Sequence, residues 1–152
     1  MEKDTLFWKV ANGEEPVPDA TALLGWKFIL YEPKQKLVQV MFRARQSMTT
    51  PLGYIQGGLL TAMLDDCMAP AVLATLDDGH LAVTAKIETQ FIKPALPGPI
   101  FSHGRVTGRN KAYRYTRGVL LDEDDNILAT AKATYKVIDK PQDFVWPPLS
   151  ET

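Results

Sequence analysis

The longest apolar stretch of the chain covers residues 59–76, and only two acidic residues and one proline interrupt it. It is longer than a typical strand and is apolar on most sides, so it predicts a helix that is enclosed by other structure. Pro70 lacks a backbone N–H group, so the helix is expected either to end near Ala69 or to continue, bent, to Leu76.

Six other segments have the alternation or the residue types of β-strands. Val38, Val40 and Phe42, for example, would share one face of a half-buried strand. The predicted strands cover residues 25–31, 36–44, 81–92, 100–106, 113–121 and 127–138. The segments 108–111 and 122–126 have the turn residues of hairpin loops.

Short hairpin links predict an antiparallel sheet, and the fold class is therefore α+β. One helix covers only one face of such a sheet, so a partner subunit is expected at the other face or at an edge. We interpret residues 1–152 as a single domain, with a lead at 1–24 and a tail at 139–152. The tail is either an arm docked on the body or a loose end.

Composition narrows the class of protein. The chain has 45% apolar and 23% charged residues, as ordinary soluble proteins do. Its 17 Lys and Arg nearly balance its 18 Asp and Glu, which argues against nucleic-acid or membrane-surface binding. The start has no secretory signal, and the single cysteine, Cys67, favours a reducing compartment, so we expect a cytoplasmic protein.

A glycine-rich turn leads into the predicted helix within residues 53–65, whose sequence is GYIQGGLLTAMLD. This segment resembles the motif of hotdog-fold acyl-CoA thioesterases, especially the phenylacetate-degradation (PaaI-like) type. In that family a Gly-x-x-His-Gly-Gly turn starts the central helix, and an acidic residue follows nine positions after the His. The spacing from Gln56 to Asp65 is the same.

Later segments extend the resemblance to roughly residues 25–138. Residues 84–94 are similar to the family's third strand, which ends in Lys-Pro-Ala, and Gly98 fits the turn that follows it. The chain departs from the family at two positions, because Gln56 replaces the usual His and Thr50 stands where many members carry Asn.

The resemblance implies a hotdog fold, an antiparallel sheet wrapped around one long helix, that pairs into a dimer or a dimer of dimers. It implies hydrolysis of acyl-coenzyme A with no metal or redox cofactor, and with Asp65 completing the Gly-Gly helix start of the other subunit. The alternative is a non-catalytic acyl-CoA or fatty-acyl binding protein, in which loss of the His has removed the chemistry.

Free N–H groups at a helix start favour negative charge, so the amides of Gly57 and Gly58, chiefly Gly58, could stabilise the thioester oxygen. Otherwise the two glycines only make a tight turn. Asp65 is a carboxylate on a helix suited to burial, and it could act as a base or as a nucleophile. Otherwise it binds the partner's backbone or faces solvent.

Three further residues are candidates for this site. Gln56 cannot titrate, but its amide could donate to the carbonyl oxygen or orient a water molecule. The Thr50 hydroxyl could bind water in place of Asn. Asp66 points about 100° away from Asp65 around the helix and is the second candidate acid.

Coenzyme A carries phosphates, which need local cations. Arg109, Lys111 and Arg114, with Arg117 nearby, surround the predicted hairpin loop and are candidate phosphate ligands. Such a cluster is otherwise a solvated turn. The sequence has no metal-binding motif, and neither His80 nor His103 has a partner at catalytic spacing.

Overall fold

The computed structural model describes residues 4–148, which form three α-helices and six β-strands. The elements are α1 (Leu6–Ala11), α2 (Asp19–Leu23), β1 (Lys27–Glu32), β2 (Leu37–Ala44), α3 (Gly57–Leu73), β3 (His80–Phe91), β4 (Gly98–Asn110), β5 (Tyr113–Leu121) and β6 (Ile127–Asp139). The six predicted strands and the long helix are therefore confirmed. The short helices α1 and α2 lie in the lead and were not predicted.

The six strands form one antiparallel sheet in the order β1-β2-β4-β5-β6-β3. Helix α3 packs across one face of it, against all the strands from β2 to β6. Val38, Val40 and Phe42 are fully buried under it, as their spacing predicts. The structure thus has the antiparallel sheet and single long helix of a hotdog fold.

Two glycines allow α3 to lie close to the sheet. Gly104 on β4 and Gly118 on β5 are directly opposite each other. A Cβ atom at Gly104 would collide with the carbonyl of Cys67, and one at Gly118 would lie 2.9 Å from Cγ of Met68. A larger side chain at either glycine would push the helix away from the sheet.

Helix α3 continues through Pro70 and ends at Leu73, so of the two predicted alternatives the helix follows the continuation and stops three residues before Leu76. Proline at position 70 leaves the carbonyl of residue 66 without its helical N–H partner. The indole N–H of Trp26 donates to this carbonyl of Asp66 at 3.0 Å. The replacement hydrogen bond allows a proline inside a buried helix.

The predicted bounds of the hairpin loop, residues 108–111, are wrong. Strand β4 runs to Asn110 and β5 starts at Tyr113, so the turn has only two residues, Lys111 and Ala112. Lys111 has a φ of 55°, which is the left-handed conformation that such tight turns require. A bulge in β4 between Val106 and Gly108 makes the strand irregular just where the sequence has a turn signal.

The lead and the tail touch each other. The indole N–H of Trp146 donates to the carbonyl of Pro16 at 3.1 Å, and the ammonium of Lys140 lies 5.3 Å from the ring centre of Phe144. Residues 141–148 therefore form a docked arm, and 149–152 lie outside the described residues. Within residues 4–148, none of the helices combines the length and apolar character needed to cross a membrane.

Candidate functional site

The carboxylate of Asp65 lies two turns into α3, beside strands β3 and β6. Its Oδ1 atom accepts hydrogen bonds from the hydroxyl of Tyr135 at 2.6 Å and from Oγ1 of Thr84 at 3.0 Å. Within residues 4–148, no hydrogen bond reaches its Oδ2 atom. One oxygen is thus held by two donors while the other is available for a ligand or a water molecule.

Tyr135 supplies the shorter of these two hydrogen bonds. Its side chain is fully buried, and its hydroxyl also lies 3.2 Å from the backbone carbonyl of Asp65. Burial and the nearby Asp65 carboxylate raise the pKa of Tyr135. The phenol therefore stays protonated and acts as a hydrogen-bond donor to the carboxylate.

Thr84 reaches Asp65 because of a β-bulge. The pairing of β3 with β6 shifts between Thr84 and Lys86, so Thr84 faces Tyr135 while Lys86 faces outward. Strict alternation along the sequence would place Thr84 on the same face as Lys86 and Glu88. Sequence reasoning missed Thr84 for this reason, and only the bulge reveals its contact with Asp65.

The start of α3 is fixed by two flanking loops. The N–H of Gln56 donates to the carbonyl of Met48 at 2.9 Å, and the N–H of Ile55 donates to the carbonyl of Ala95 at 2.8 Å. Helix α3 begins at Gly57, directly after Gln56. Backbone hydrogen bonds therefore hold the turn in place before the helix begins.

The first two amides of α3 are available to a ligand. No acceptor within residues 4–148 pairs with the N–H of Gly57 or Gly58, as expected for the first turn of a helix. Gly58 is exposed, and a Cβ atom there would lie 3.2 Å from Oε1 of Gln56. Gly57 packs against the ring of Phe91. The Gln56 side chain thus lies next to the exposed amide.

One protomer does not bring these amides to Asp65. Seven positions separate Gly58 from Asp65, which is about 10 Å along a helix axis. The hydroxyl of Thr50 accepts the N–H of Leu52 at 3.3 Å, so it makes a contact within its own turn. A single chain therefore does not place Asp65 beside the start of α3.

Asp66 faces away from Asp65 and lines a cavity with Trp26 and Leu73. Burial raises the pKa of Asp66 to about 6; a hydrogen bond with Thr21 opposes this rise, and the charge of Asp65 adds to it. Its carboxyl is thus in a different environment from that of Asp65, on the other side of the helix.

A basic cleft of about 470 Å³ lies where the β4–β5 hairpin meets the end of α3. Four cations line it, and none of the described residues in its wall is acidic; the cations are Lys34, Lys36, Arg109 and Arg114. Lys111 lies at the hairpin turn outside this wall, and its carbonyl accepts a hydrogen bond from Arg114 at 2.9 Å. Arg117 lines a separate depression.

The two arginines of the cleft and the two residues that bind Asp65 belong to one row of the sheet. Arg109 is paired with Arg114, Arg114 with Tyr135, and Tyr135 with Thr84. The bulge in β4 brings Arg109 into this row. Three strand spacings separate the ends of the row, which is about 14 Å.

Other reactive side chains do not join this site. Cys67 is fully buried, and burial raises its pKa to about 12, so its thiol stays protonated at neutral pH. Nδ1 of His80 lies 2.6 Å from a carboxylate oxygen of Asp77, in an exposed pair. No group of three or more His, Cys, Asp or Glu side chains in the described part of the chain is arranged to hold a metal ion.

Comparisons with known proteins indicate the thioesterase superfamily. The family model of the thioesterase superfamily matches residues 52–129, which include the start of α3 and Asp65. A phenylacetic acid degradation-related protein of Ralstonia eutropha JMP134 is 32% identical, with a TM-score of 0.82 over 86% of this chain and 98% of its own. A search of the curated proteins finds no match.

Two more distant structures share the fold. A thioesterase of Haemophilus influenzae is 14% identical, with a TM-score of 0.77 over 91% of this chain and 94% of its own. The PaaI protein from the phenylacetic acid degradation operon of E. coli is 17% identical, with a TM-score of 0.75 over 87% of this chain and 93% of its own. At these identities the likeness concerns the hotdog fold alone.

Proposed function

The chain belongs to the thioesterase superfamily, and from that premise we propose that it hydrolyses acyl-coenzyme A thioesters to a free acid and coenzyme A. One observation carries this proposal: two hydroxyl groups donate hydrogen bonds to the same oxygen of the Asp65 carboxylate, which orients the group. Its second oxygen then faces the thioester carbonyl carbon or a water molecule beside it.

The chemistry divides between the carboxylate and the helix start. The amide of Gly58, supported by that of Gly57, donates to the carbonyl oxygen as negative charge develops there. Asp65 either takes a proton from the attacking water or attacks the carbonyl carbon itself to give a mixed anhydride, which water then hydrolyses. Both routes release the thiol of coenzyme A.

Gln56 has a positioning role in this proposal. Its side chain lies beside the amide of Gly58 and cannot accept a proton as a base. Its amide donates to the carbonyl oxygen or orients the water molecule. We assign proton transfer to Asp65 alone.

The site is completed by a second copy of the chain. Asp65 and the amide of Gly58 are about 10 Å apart along the helix axis of one protomer, so each carboxylate serves the helix start of the partner. Strand β3 is an edge of the sheet with one side unpaired, and it carries exposed apolar residues at Val83 and Phe91. An unpaired edge of this kind is suited to pairing with another strand. The proposed assembly is a dimer, or a dimer of dimers.

The basic cleft is the proposed site for the phosphates of coenzyme A. Its four cations attract anions, and its two arginines can bind phosphate through paired hydrogen bonds. It lies in the same sheet row as the hydroxyls that hold Asp65.

Release of free thiol from a panel of short-chain, long-chain and aryl acyl-CoAs tests the function. We expect turnover of at least one substrate, and a fall of at least about a hundredfold, roughly 2.7 kcal/mol, in Asp65→Asn. Asp124→Asn changes an exposed carboxylate in the β5–β6 turn and is the matched control. Tight binding of acyl-CoA without turnover of any of these substrates would instead indicate a binding protein.

A further inference from the structure

A cavity of about 260 Å³ lies between the lead, the tail and the outer face of α3. Most of its lining is apolar, and its aromatic side chains are Phe7, Trp26, Phe144 and Trp146. Neither Asp65 nor the start of α3 belongs to this wall. The cavity is therefore separate from the candidate hydrolytic site.

Five ionisable side chains lie in the cavity wall, and four of them form two close pairs. Nζ of Lys140 lies 3.0 Å from Oδ1 of Asp78, and Nδ1 of His80 lies 2.6 Å from Oδ1 of Asp77. The fifth is Asp66, and in the part of the chain that the structure describes no Lys, Arg or His nitrogen lies within ion-pair distance of its carboxylate. The wall thus has one carboxylate without a cation beside it.

The surroundings of Asp66 are unfavourable for an isolated negative charge. Burial raises the pKa of Asp66 to about 6, and the charge of Asp65 adds to this rise. Only a hydrogen bond from Thr21, which is 8% exposed and also lines the cavity, opposes the shift. At neutral pH the carboxyl is mostly ionised, and a buried carboxylate is costly unless a cation pairs with it. A cationic group in the cavity would remove this cost.

A second polar group in the wall also lacks a partner. The side chain of Thr5 is only 7% exposed, and its hydroxyl has no hydrogen-bond partner among the described residues. Such buried hydroxyls are rare in folded proteins. An apolar cavity with a few polar groups and a carboxyl of shifted pKa is typical of a ligand pocket.

We propose that this cavity binds a compact apolar amine, with its ammonium group at Asp66 and its hydrocarbon part among the aromatic rings. Aromatic faces attract cations, so the rings favour the same charge as the carboxylate does. The volume lies just below the roughly 300–1,000 Å³ of typical ligand pockets, so the ligand is a small molecule. Binding here does not depend on the hydrolysis of acyl-CoA.

Two probes of the same shape test the class of ligand. 2-Phenylethylamine is a cation at pH 7.5, whereas 2-phenylethanol is neutral. Tryptophan fluorescence reports binding, because Trp26 and Trp146 line the cavity. We expect the natural protein to bind the amine with a Kd of about 1 mM or lower, at least about tenfold more tightly than the alcohol.

Asp66→Asn keeps the size of the side chain and removes its charge. We expect the Kd for the amine to rise at least about tenfold, while the Kd for the alcohol stays within about twofold of the natural value. Asp124→Asn removes an exposed carboxylate in the β5–β6 turn and should bind both probes as the natural protein does. Amine binding that is unchanged in Asp66→Asn would overturn the proposal.

Val10→Phe fills the cavity from α1 and should abolish binding of both probes. Leu23→Phe adds a ring on α2 at a residue that is 63% exposed and outside the cavity, so it should bind them normally. Thermal unfolding shows whether Val10→Phe folds; if it does not, Asp66→Asn decides alone. Normal binding by a folded Val10→Phe, or no binding of the amine by the natural protein, would also overturn the proposal.

Discussion

At the scale of single residues, two hydroxyl groups fix the orientation of the Asp65 carboxylate. Tyr135 and Thr84 both donate to Oδ1, which fixes the orientation of the group and leaves Oδ2 without a partner in residues 4–148. Hydrogen bonds to a charged group contribute about 1.5–3 kcal/mol each. Loss of either donor should therefore weaken the hold on the carboxylate.

Tyr135→Phe removes the shorter hydrogen bond to Asp65 while keeping the ring in the core. We expect kcat to fall roughly 10- to 100-fold with KM nearly unchanged, because a bond of about 1.5–3 kcal/mol that holds the carboxylate is lost. Steady-state thiol release measures this. Tyr115→Phe, at an exposed position on β5, is the control. A kcat within twofold of the natural value would show that Tyr135 does not position the carboxylate.

Asp66 makes stability depend on pH. Its pKa is about 6 in the folded chain against an ordinary value of 3.8, so the folded state holds its proton over a pH range in which the unfolded chain has lost it. The free energy of unfolding therefore falls as pH rises from about 4 to 6, by on the order of 3 kcal/mol for this group.

Asp66→Asn has no charge to bury, so it should gain stability relative to the natural protein by up to about 3 kcal/mol between pH 4.5 and pH 7.5. Urea unfolding of both proteins at the two pH values measures this difference. Asp124→Asn, in an exposed turn, should show no such change. A difference between Asp66→Asn and the natural protein that is the same at both pH values would contradict the assigned pKa.

At the scale of elements, the helix and the sheet depend on how closely they approach each other. A Cβ atom at Gly104 would overlap the backbone carbonyl of Cys67, which cannot move without moving α3. Gly108 is on the same strand, but a Cβ atom there would lie 3.7 Å from Cδ2 of Tyr115, an ordinary contact. The two glycines thus have different structural roles.

Gly104→Ala should lower the free energy of unfolding by at least about 3 kcal/mol, the upper end of ordinary overpacking, because the clash is with the backbone. Gly108→Ala should change it by less than about 1 kcal/mol. Urea denaturation of both variants gives these values. Equal stability of the two variants would contradict the close approach of α3 at Gly104.

The elements that could be predicted from the sequence are those that a simple period describes. The alternation of Val38, Val40 and Phe42 and the long apolar run identified a buried strand and the helix. Irregular features could not be predicted: the helix continues past Pro70 because Trp26, far away in sequence, binds the freed carbonyl. The bulge that turns Thr84 toward Asp65 depends likewise on strand pairing.

The sequence predicted the residues of the candidate site only where they belong to a motif with a fixed spacing. The nine-residue spacing from Gln56 to Asp65 marked the carboxylate and the helix start, and the hairpin marked Arg109 and Arg114. Tyr135 was not predicted as part of the site, because a buried aromatic residue in a strand has no sequence signal for a polar role. The cytoplasmic location and the roles of all the candidate site residues, including Asp65, Gly58 and Thr50, remain predictions.

At the scale of the whole molecule, the proposed substrate, an acyl-CoA, would contact two distant parts of the surface. The basic cleft lies about 14 Å from Thr84, three strand spacings along one row of the sheet. A thioester without phosphates would use the Asp65 site but not the cleft. Comparing the two kinds of substrate therefore separates recognition of coenzyme A from chemistry.

Arg114→Gln should raise KM for acyl-CoA about tenfold, which is roughly 1.4 kcal/mol of binding, by removing a charged phosphate contact. The same variant should leave kcat/KM unchanged for the N-acetylcysteamine thioester of the same acid, which has no phosphate. Arg117→Gln, on the same strand but outside the cleft, is the control. An equal loss of kcat/KM on both substrates would mean that the substitution disturbs the structure and that Arg114 does not bind the phosphates.

The central claim is that each active site combines Asp65 of one protomer with the helix start of its partner. Asp65→Asn removes the carboxylate, and Gly58→Pro removes an amide in the first helical turn, whose N–H makes no hydrogen bond within the helix. Removing a donor of this kind costs about 10²–10³ in rate, so each variant alone should be nearly inactive.

The most direct test is thiol release by a mixed dimer of Asp65→Asn and Gly58→Pro chains, co-expressed with two affinity tags and isolated through both. Such a dimer has one site with both changes and one site with neither, so the account predicts about half of the natural activity per dimer. If the mixed dimer is as inactive as the two parent dimers, each carboxylate acts within its own chain, and the shared site is wrong.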